Sequence, residues 1–341
     1  MTEKKTKRAT PRPAGKVAEL AGAAPAQPPG VVAWLTRLKP REAETIGRLS
    51  FTPLVLAGGN GGPGISLAHE AIAAGTLEVT EKEGGVVQEL FATNKGPLPV
   101  AILEGDTLIG CKQNRVVAHS VLIAAGASAA VPVGCMQHGR WSWQGRHFST
   151  GEMRVDVAFR KEAVRETTAA KRTQGRPALD QRRLWDKVDS RMAAYCMESP
   201  SADYHEALFQ RCYEAREQVA RFRRQPRDVG VMVTYKGRLV AIEVTGHSLL
   251  WAGLADRTLP SYAFLASDPD EIEQLEKQPS DSTEGWLERL KQARVATFPA
   301  LALGEDLEIA GDGLVGAGLQ WSEQPIHVAV FANGVTVHAQ V

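Results

Sequence analysis

No stretch of this 341-residue chain approaches the length of a membrane span, and the basic, proline-rich start lacks the apolar segment of a secretory signal, so the sequence reads as cytoplasmic with no membrane partner. Net charge is nearly absent, +1, so the overall balance points to no particular partner. Only four cysteines occur, Cys111, Cys135, Cys196 and Cys212. None forms a CxxC pair, which excludes a disulfide framework, and neither Cys111 nor Cys135 has a ligand at finger spacing, which argues against structural zinc. His119, His138, His147 and His327 are scattered, with no H-x-x-x-H or paired-carboxylate spacing, so no metal and no cofactor is expected. No internal repeat is visible. The apolar fraction of 43 % and charged fraction of 23 % are ordinary for a soluble globular protein, long enough for one large domain or two ordinary ones.

The informative stretch runs from Pro97 to Trp143. Short apolar runs, Val100–Leu103, Val121–Ala125 and Val131–Val133, are punctuated by Glu104-Gly105-Asp106, Ala125-Gly126 and Gly134. Runs of this length bounded by turn residues are strands. Two polar clusters fall at their ends, Lys112–Arg115 and Gln137–Trp141. Loops at strand ends are where binding residues gather. Arg115 can grip a phosphate or carboxylate bidentately and Lys112 supplies a point charge, while Gln113, Asn114 and Gln137 can read a planar polar edge. Arg140 adds a second guanidinium and Trp141 a stacking surface. The plainer reading is a solvated turn with Arg115 in a surface ion pair and Trp141 in the core.

The segments ILEGDTLIGCKQNRVV, VPVGCMQHGRWSW, VGVMVTYKGRLVAIEV and LGEDLEIAGDGLVGAGL occur in that order. Together they resemble the ARG-and-rhodanese-phosphatase-superfamily-associated protein domain family, over roughly residues 48–332. The KQNR and GRW segments are the most specific part. The family name implies association with ADP-ribosylglycohydrolases and rhodanese-phosphatases and fixes no reaction. The chain departs from the family pattern at Glu308, where an arginine is expected, which argues against an anion role for a Gly304–Glu308 turn.

The remaining chain supplies context. Residues 1–30 form a basic, Pro/Ala-rich segment that cannot bury a core and reads as a disordered tail, with nucleic acid or another anionic surface as its conceivable contact. The glycine-rich Gly58–Gly64 loop precedes a helix, Ser66–Ala74, with Ser66 as N-cap, but lacks the lysine and serine of a phosphate-binding loop. Gly84-Gly85 reads as a turn. Residues 144–178 read as an irregular basic loop; over 140–191 the chain carries 13 Lys and Arg against 7 Asp and Glu. Helices are expected over Leu179–Cys196, with an apolar face that includes Trp185, and from Asp203 to about Arg224, with Cys212 packed inside. Val229–Tyr235 and Arg238–Val244 form a hairpin about Lys236-Gly237. Leu259 begins a new helix with Pro260 in its first turn, residues 268–283 form a solvated face or loop, and Glu284–Ala293 is a helix. Glu104, Asp106, Glu305 and Asp306 take turn roles.

The fold expected is α+β, a single domain from residue 31 to 341 built on an antiparallel, sandwich-like sheet core with an inserted helical region at about 179–225. Three functions are open. One is binding of a nucleotide or phosphate-bearing small molecule through Lys112, Gln113, Asn114, Arg115, Gln137, Arg140 and Trp141, ADP-ribose-like by family association. A second is an enzyme with Cys135 as nucleophile, His138 three residues on or His119 from a neighbouring strand, and Arg140 to acidify the thiol. The third is a protein-interaction component without a small ligand.

Overall fold

A computed structural model describes residues 29–58, 64–82, 87–137, 139, 143–197, 199 and 202–333. The basic tail to residue 28, most of the glycine-rich loop, the Gly84-Gly85 turn, His138, Arg140 and Trp141 lie outside the described residues.

The first half of the chain is mainly strand. Helix α1 (Pro29–Thr36) leads into β1 (Leu38–Pro40), β2 (Glu44–Ile46), β3 (Leu49–Leu56) and β4 (Ser66–Leu67). A short α2 (Ala68–Ala73) precedes β5 (Leu77–Glu81), β6 (Glu89–Asn94), β7 (Val100–Ile102) and β8 (Thr107–Cys111). Then come β9 (Arg115–Val117), β10 (Val121–Ile123), β11 (Ser128–Cys135) and β12 (Gln144–Thr150). Four helices follow: α3 (Val157–Gln174), α4 (Gln181–Ala194), α5 (Tyr204–Arg211) and α6 (Tyr213–Val219). The last part comprises β13 (Asp228–Tyr235), β14 (Arg238–Thr245), α7 (Ser248–Ala263), α8 (Pro269–Glu276), α9 (Thr283–Gln292), β15 (Arg294–Pro299), β16 (Glu305–Gly311), β17 (Leu314–Trp321) and β18 (Gln324–Ala332).

The architecture is α+β. A nine-stranded sheet runs β1-β3-β13-β14-β18-β17-β16-β15 with β2 paired to β3, antiparallel throughout. A six-stranded sheet, β12-β8-β9-β11-β6-β5, shares a core with the three-stranded β10-β7-β4; Val79, Leu90, Ile102, Leu108, Val121, Val131 and Phe148 fill it. On one face of the large sheet Val31 and Leu35 of α1 and Trp286, Leu287 and Leu290 of α9 are buried. On the other lie Val157 and Val164 of α3 and Trp251, Ala255, Leu259 and Tyr262 of α7. The β13–β14 hairpin turns on Lys236 and Gly237, at φ 48° and 76°, the left-handed pair that matches strand twist.

Several elements differ from the sequence reading. Residues 144–178 are not an irregular loop but β12 and the 18-residue α3, capped by Asp156, which accepts from the Phe159 N–H at 3.0 Å. The helix is hard to read because its buried face carries Arg160 and Thr167 among apolar residues. Ser66 is a strand residue, and the N-cap position of α2 is Leu67. The expected Asp203–Arg224 helix is broken at Cys212 into α5 and α6. Pro260 does not start a helix; it lies inside a continuous α7, where burial of one apolar face outweighs one lost backbone hydrogen bond. Within 268–283, α8 forms because Asp268 caps it and Ile272 and Leu275 are buried. The Gly304–Glu308 turn is instead the start of β16, with Leu307 and Ile309 on the face toward α1 and α9 and Asp306 and Glu308 alternating with them. Those acids are neutralised from the other side: His119 Nε2 and Lys171 Nζ lie 2.8 and 2.7 Å from Asp306 Oδ2, and Arg172 Nη2 donates to Glu308 at 2.8 Å.

The same principle holds the two sheet systems together. Arg154 and Arg160 are fully buried between Glu104, which follows β7, and Glu243 on β14. Arg160 donates to both oxygens of Glu243, at 2.9 and 2.8 Å, and to Glu104 at 2.7 Å; Arg154, Tyr262 and His327 also hold Glu243. Burial alone would push the Glu243 carboxyl up, but Arg160 and Arg154 hold it well below the usual carboxylate range. Glu104 thus contributes an ion pair rather than a mere turn, while Asp106 does serve the turn by accepting from the Leu103 N–H at 2.9 Å. Gly105 is required between them: its φ is +81°, and a Cβ there would lie 2.9 Å from the Arg160 side chain.

Candidate functional site

The Lys112–Arg115 turn joins β8 to β9, and its four side chains diverge. Cys111 enters it in the left-handed region at φ 46°. Asn114 closes it by accepting from the Gly110 N–H at 3.0 Å, while its own N–H donates to Gln137 Oε1 at 3.2 Å. Its Nδ2 donates to Asp203 Oδ2 at 2.5 Å. Asp203 is the N-cap of α5, accepting at Oδ1 from the N–H groups of His205 and Glu206. A backbone bridge between Gln137 and Asp203, and a Tyr204 N–H to Met136 carbonyl bond of 3.1 Å, fasten α5 to the end of β11.

Between the turn and α5 lies an open cavity of about 420 Å³, lined by Ile109, Asn114, Gln137, Gln144, Asp203, His205, Glu206 and Phe209. Three side-chain amides therefore converge on one space with two carboxylates and an imidazole. Burial raises the Asp203 carboxyl above its ordinary range. Burial first, and the Arg257 charge second, lower His205 to about 4, so its ring is neutral at physiological pH. The His205 ring stacks on Phe209, centroids 6.4 Å apart, and Arg216 covers the same Phe209 ring at 3.9 Å. Beside Gln144, Trp143 is 57 % exposed and carries Lys112 Nζ 5.1 Å from its ring centroid.

The other two turn residues face inward. Gln113 and Arg115 are buried, Arg115 Nη1 donates to Gln113 Oε1 at 3.0 Å, and Nη2 lies 3.5 Å from Glu81. Neither lines the cavity. Arg115 is thus in an interior ion pair rather than a surface one.

Cys135 sits opposite Arg115 in the β9–β11 ladder, fully buried, with its thiol 3.1 Å from Gln113 Oε1 and 3.0 Å from the Gln137 carbonyl. Gln181 at the start of α4 clips the Cys135 backbone, donating to its carbonyl and accepting from its N–H. Burial pushes the thiol up despite the Arg115 charge, the opposite of an activated nucleophile. His119 does not approach it, being bound to Asp306. Alkylation of the native protein at neutral pH is expected to label exposed Cys196 and spare Cys111, Cys135 and Cys212, read by peptide mass spectrometry; preferential labelling of Cys135 would restore the nucleophile reading.

The fold brings the KQNR segment against Cys135, Met136 and Gln137. Residues 37–331 match the family described as the ARG and Rhodanese-Phosphatase-superfamily-associated Protein domain. The chain belongs to this family. No curated protein and no solved structure matches it. The family span covers every residue that lines the cavity, including those that came from outside the motif, Gln144, Asp203, His205, Glu206 and Phe209. Of these the sequence signalled only Asp203, as a helix opener; nothing in the spacing tied it to Asn114, 89 residues earlier.

One group among the described residues offers metal-type ligand atoms within 4.8 Å of one another: Glu104, Glu243 and His327. The donor set does not fit a metal, because both carboxylates already accept from Arg154 and Arg160, whose guanidiniums take the place of a cation. No described helix is long and apolar enough to cross a membrane.

Proposed function

We propose that this protein binds a small, polar, nucleotide-type ligand in the cavity between the Lys112–Arg115 turn and α5. The observation that carries the reading is a cavity walled by Asn114 and Gln137, with the exposed Gln144 amide in its lining and exposed Trp143 beside it. The Gln144 amide presents a donor and an acceptor side by side, the pattern needed to read the edge of a base. An exposed indole gives a stacking face at little cost. A volume of about 420 Å³ lies in the range of small-molecule sites. Asp203 and Glu206 would accept from ribose hydroxyls and repel phosphate, so the charged end is directed away from α5 and toward Lys112. Arg140 and Trp141, next in the chain to this rim, remain candidates for the same end. The family association makes ADP-ribose the first ligand to test.

Calorimetric titration of the full chain with ADP-ribose, ADP and adenosine tests this. Trp143→Ala and Gln144→Ala are exposed changes that leave the fold intact, and each is expected to weaken binding by roughly tenfold, the value of one stacking or hydrogen-bond contact. Because His205 stays neutral well below physiological pH, its protonation should add no pH dependence to adenosine binding between about pH 5.5 and 8. Binding by no member of the panel, or binding indifferent to both substitutions, would remove the proposal.

A further inference from the structure

A second opening shares no residue with this cavity. Arg165, Thr168, Ala169 and Arg172 lie on one face of α3, at helical spacing, and face the end of the large sheet. Opposite them are Arg294 and Ala296 of β15, Glu308 and Ala310 of β16 and Gly316 of β17, around a groove of about 200 Å³. Alanine and glycine on both walls keep the groove open.

Its charges are unevenly matched. Arg172 is paired with Glu308, through Nη2 at 2.8 Å and Nε at 3.3 Å, both to Oε2. Arg165 uses one nitrogen on Asn333 Oδ1, at 2.5 Å. Arg294 is exposed and has no ion-pair partner among the described residues. Three guanidiniums and one carboxylate leave the groove with an excess of positive charge. Glu308 is only 7 % exposed, yet its second oxygen, Oε1, has no hydrogen-bond partner among the described residues. A buried acceptor left open is costly and calls for a donor.

We infer that this groove binds a small phosphate ester that carries a hydroxyl group. Arg294 and the free donors of Arg165 hold the phosphate in the forked geometry guanidinium offers. The ligand hydroxyl donates to Glu308 Oε1, the one partner in the groove that a phosphate ester dianion without a hydroxyl, such as methyl phosphate, cannot satisfy. The volume equals the share of roughly seven liquid waters, which suits a molecule of sugar-phosphate size and not a nucleotide. Glu308 is thus the residue that selects a hydroxyl-bearing ester over a plain one.

The test is calorimetric titration of the full chain with glycerol 3-phosphate, methyl phosphate and glycerol, at a pH where both esters are dianions. Glycerol 3-phosphate is expected to bind saturably and roughly tenfold tighter than methyl phosphate, one added hydrogen bond to a charged group. Arg294→Ala should weaken both by roughly tenfold. Ala169→Glu, an exposed change that puts a carboxylate into the groove, should abolish both. Glu308→Leu, which removes the acceptor, should erase the advantage of the hydroxyl and leave methyl phosphate bound as well or better. Absence of saturable binding, insensitivity to Arg294→Ala and Ala169→Glu, or a hydroxyl preference that survives Glu308→Leu would each overturn the inference. The nucleotide-type reading is separable: it depends on Gln144 and not on Arg294, and the groove depends on Arg294 and not on Gln144.

Discussion

Replacing Glu243 by glutamine is expected to be among the most damaging single changes in the protein, costing about 3–5 kcal/mol because it leaves buried charge uncompensated. Glu243 is inaccessible and accepts from Arg154, Arg160, Tyr262 and His327 at once. Its neutral isostere keeps the volume and loses the charge, so two guanidiniums in the same interior would be left with Glu104 and, 3.6 Å from Arg154 Nε, Asp106 as counter-ions. Denaturant unfolding of the variant should show a much lower midpoint at an unchanged slope. The pH dependence has a defined sign. A carboxyl held below its unfolded value, about 4.3, contributes stability that is present above that pH and is lost as pH falls toward the folded pKa. The wild type should therefore lose this contribution below about pH 4, and Glu243→Gln should lack that part of the acid transition. A variant as stable as the wild type at neutral pH would show that the network is dispensable.

Asp156→Ala is expected to cost about as much, 3–5 kcal/mol, since it too breaks a buried charge pair. One carboxylate there serves three helices. Oδ1 caps α3 through the Phe159 N–H and accepts from Arg191 of α4 at 2.6 Å, and Oδ2 accepts from the Tyr204 hydroxyl of α5 at 2.7 Å. Burial would lower the Arg191 guanidinium, yet Asp156 carries it above its usual range, a measure of how firmly the pair is held. Asp156→Asn keeps one capping oxygen but sets an NH2 group where Oδ2 accepted from Tyr204, and it loses the charge. It should fall between wild type and Asp156→Ala, the difference between the two variants reading mainly the cap, about 1 kcal/mol. Because Asp203 opens α5 one residue before Tyr204, Asp156→Ala should also weaken any ligand in the cavity, whereas Trp143→Ala should weaken the ligand without lowering the unfolding midpoint.

How far the sequence could be read depended on whether an element was sorted by polarity. The β13–β14 hairpin and α9 were legible, because their apolar residues fall at the right period and Lys236-Gly237 marks the turn. Helix α3 and strand β16 were not. Both carry charge on a buried face, Arg160 in one and Asp306 and Glu308 in the other, and a charged residue reads as solvent-facing until its partner is known. Those partners come from far along the chain: Arg160 meets Glu243 across 83 positions and Lys171 meets Asp306 across 135.

The site divides the same way. Sequence alone determined that polar residues cluster at the ends of the strands around Lys112–Arg115 and Gln137, and that Asp203 opens a helix, because strand punctuation and helix capping are local effects. It also determined the family, through motifs that are contiguous. Only the tertiary structure decided that Asn114 and Gln137 face a cavity while Gln113 and Arg115 turn inward to Cys135 and Glu81. Four consecutive polar residues in a turn offer no period from which their directions could be read. Tertiary structure likewise added Asp203, His205 and Glu206 to the cavity wall, since the position of α5 is set by long-range contacts with β11 and with Asp156 that no local pattern encodes.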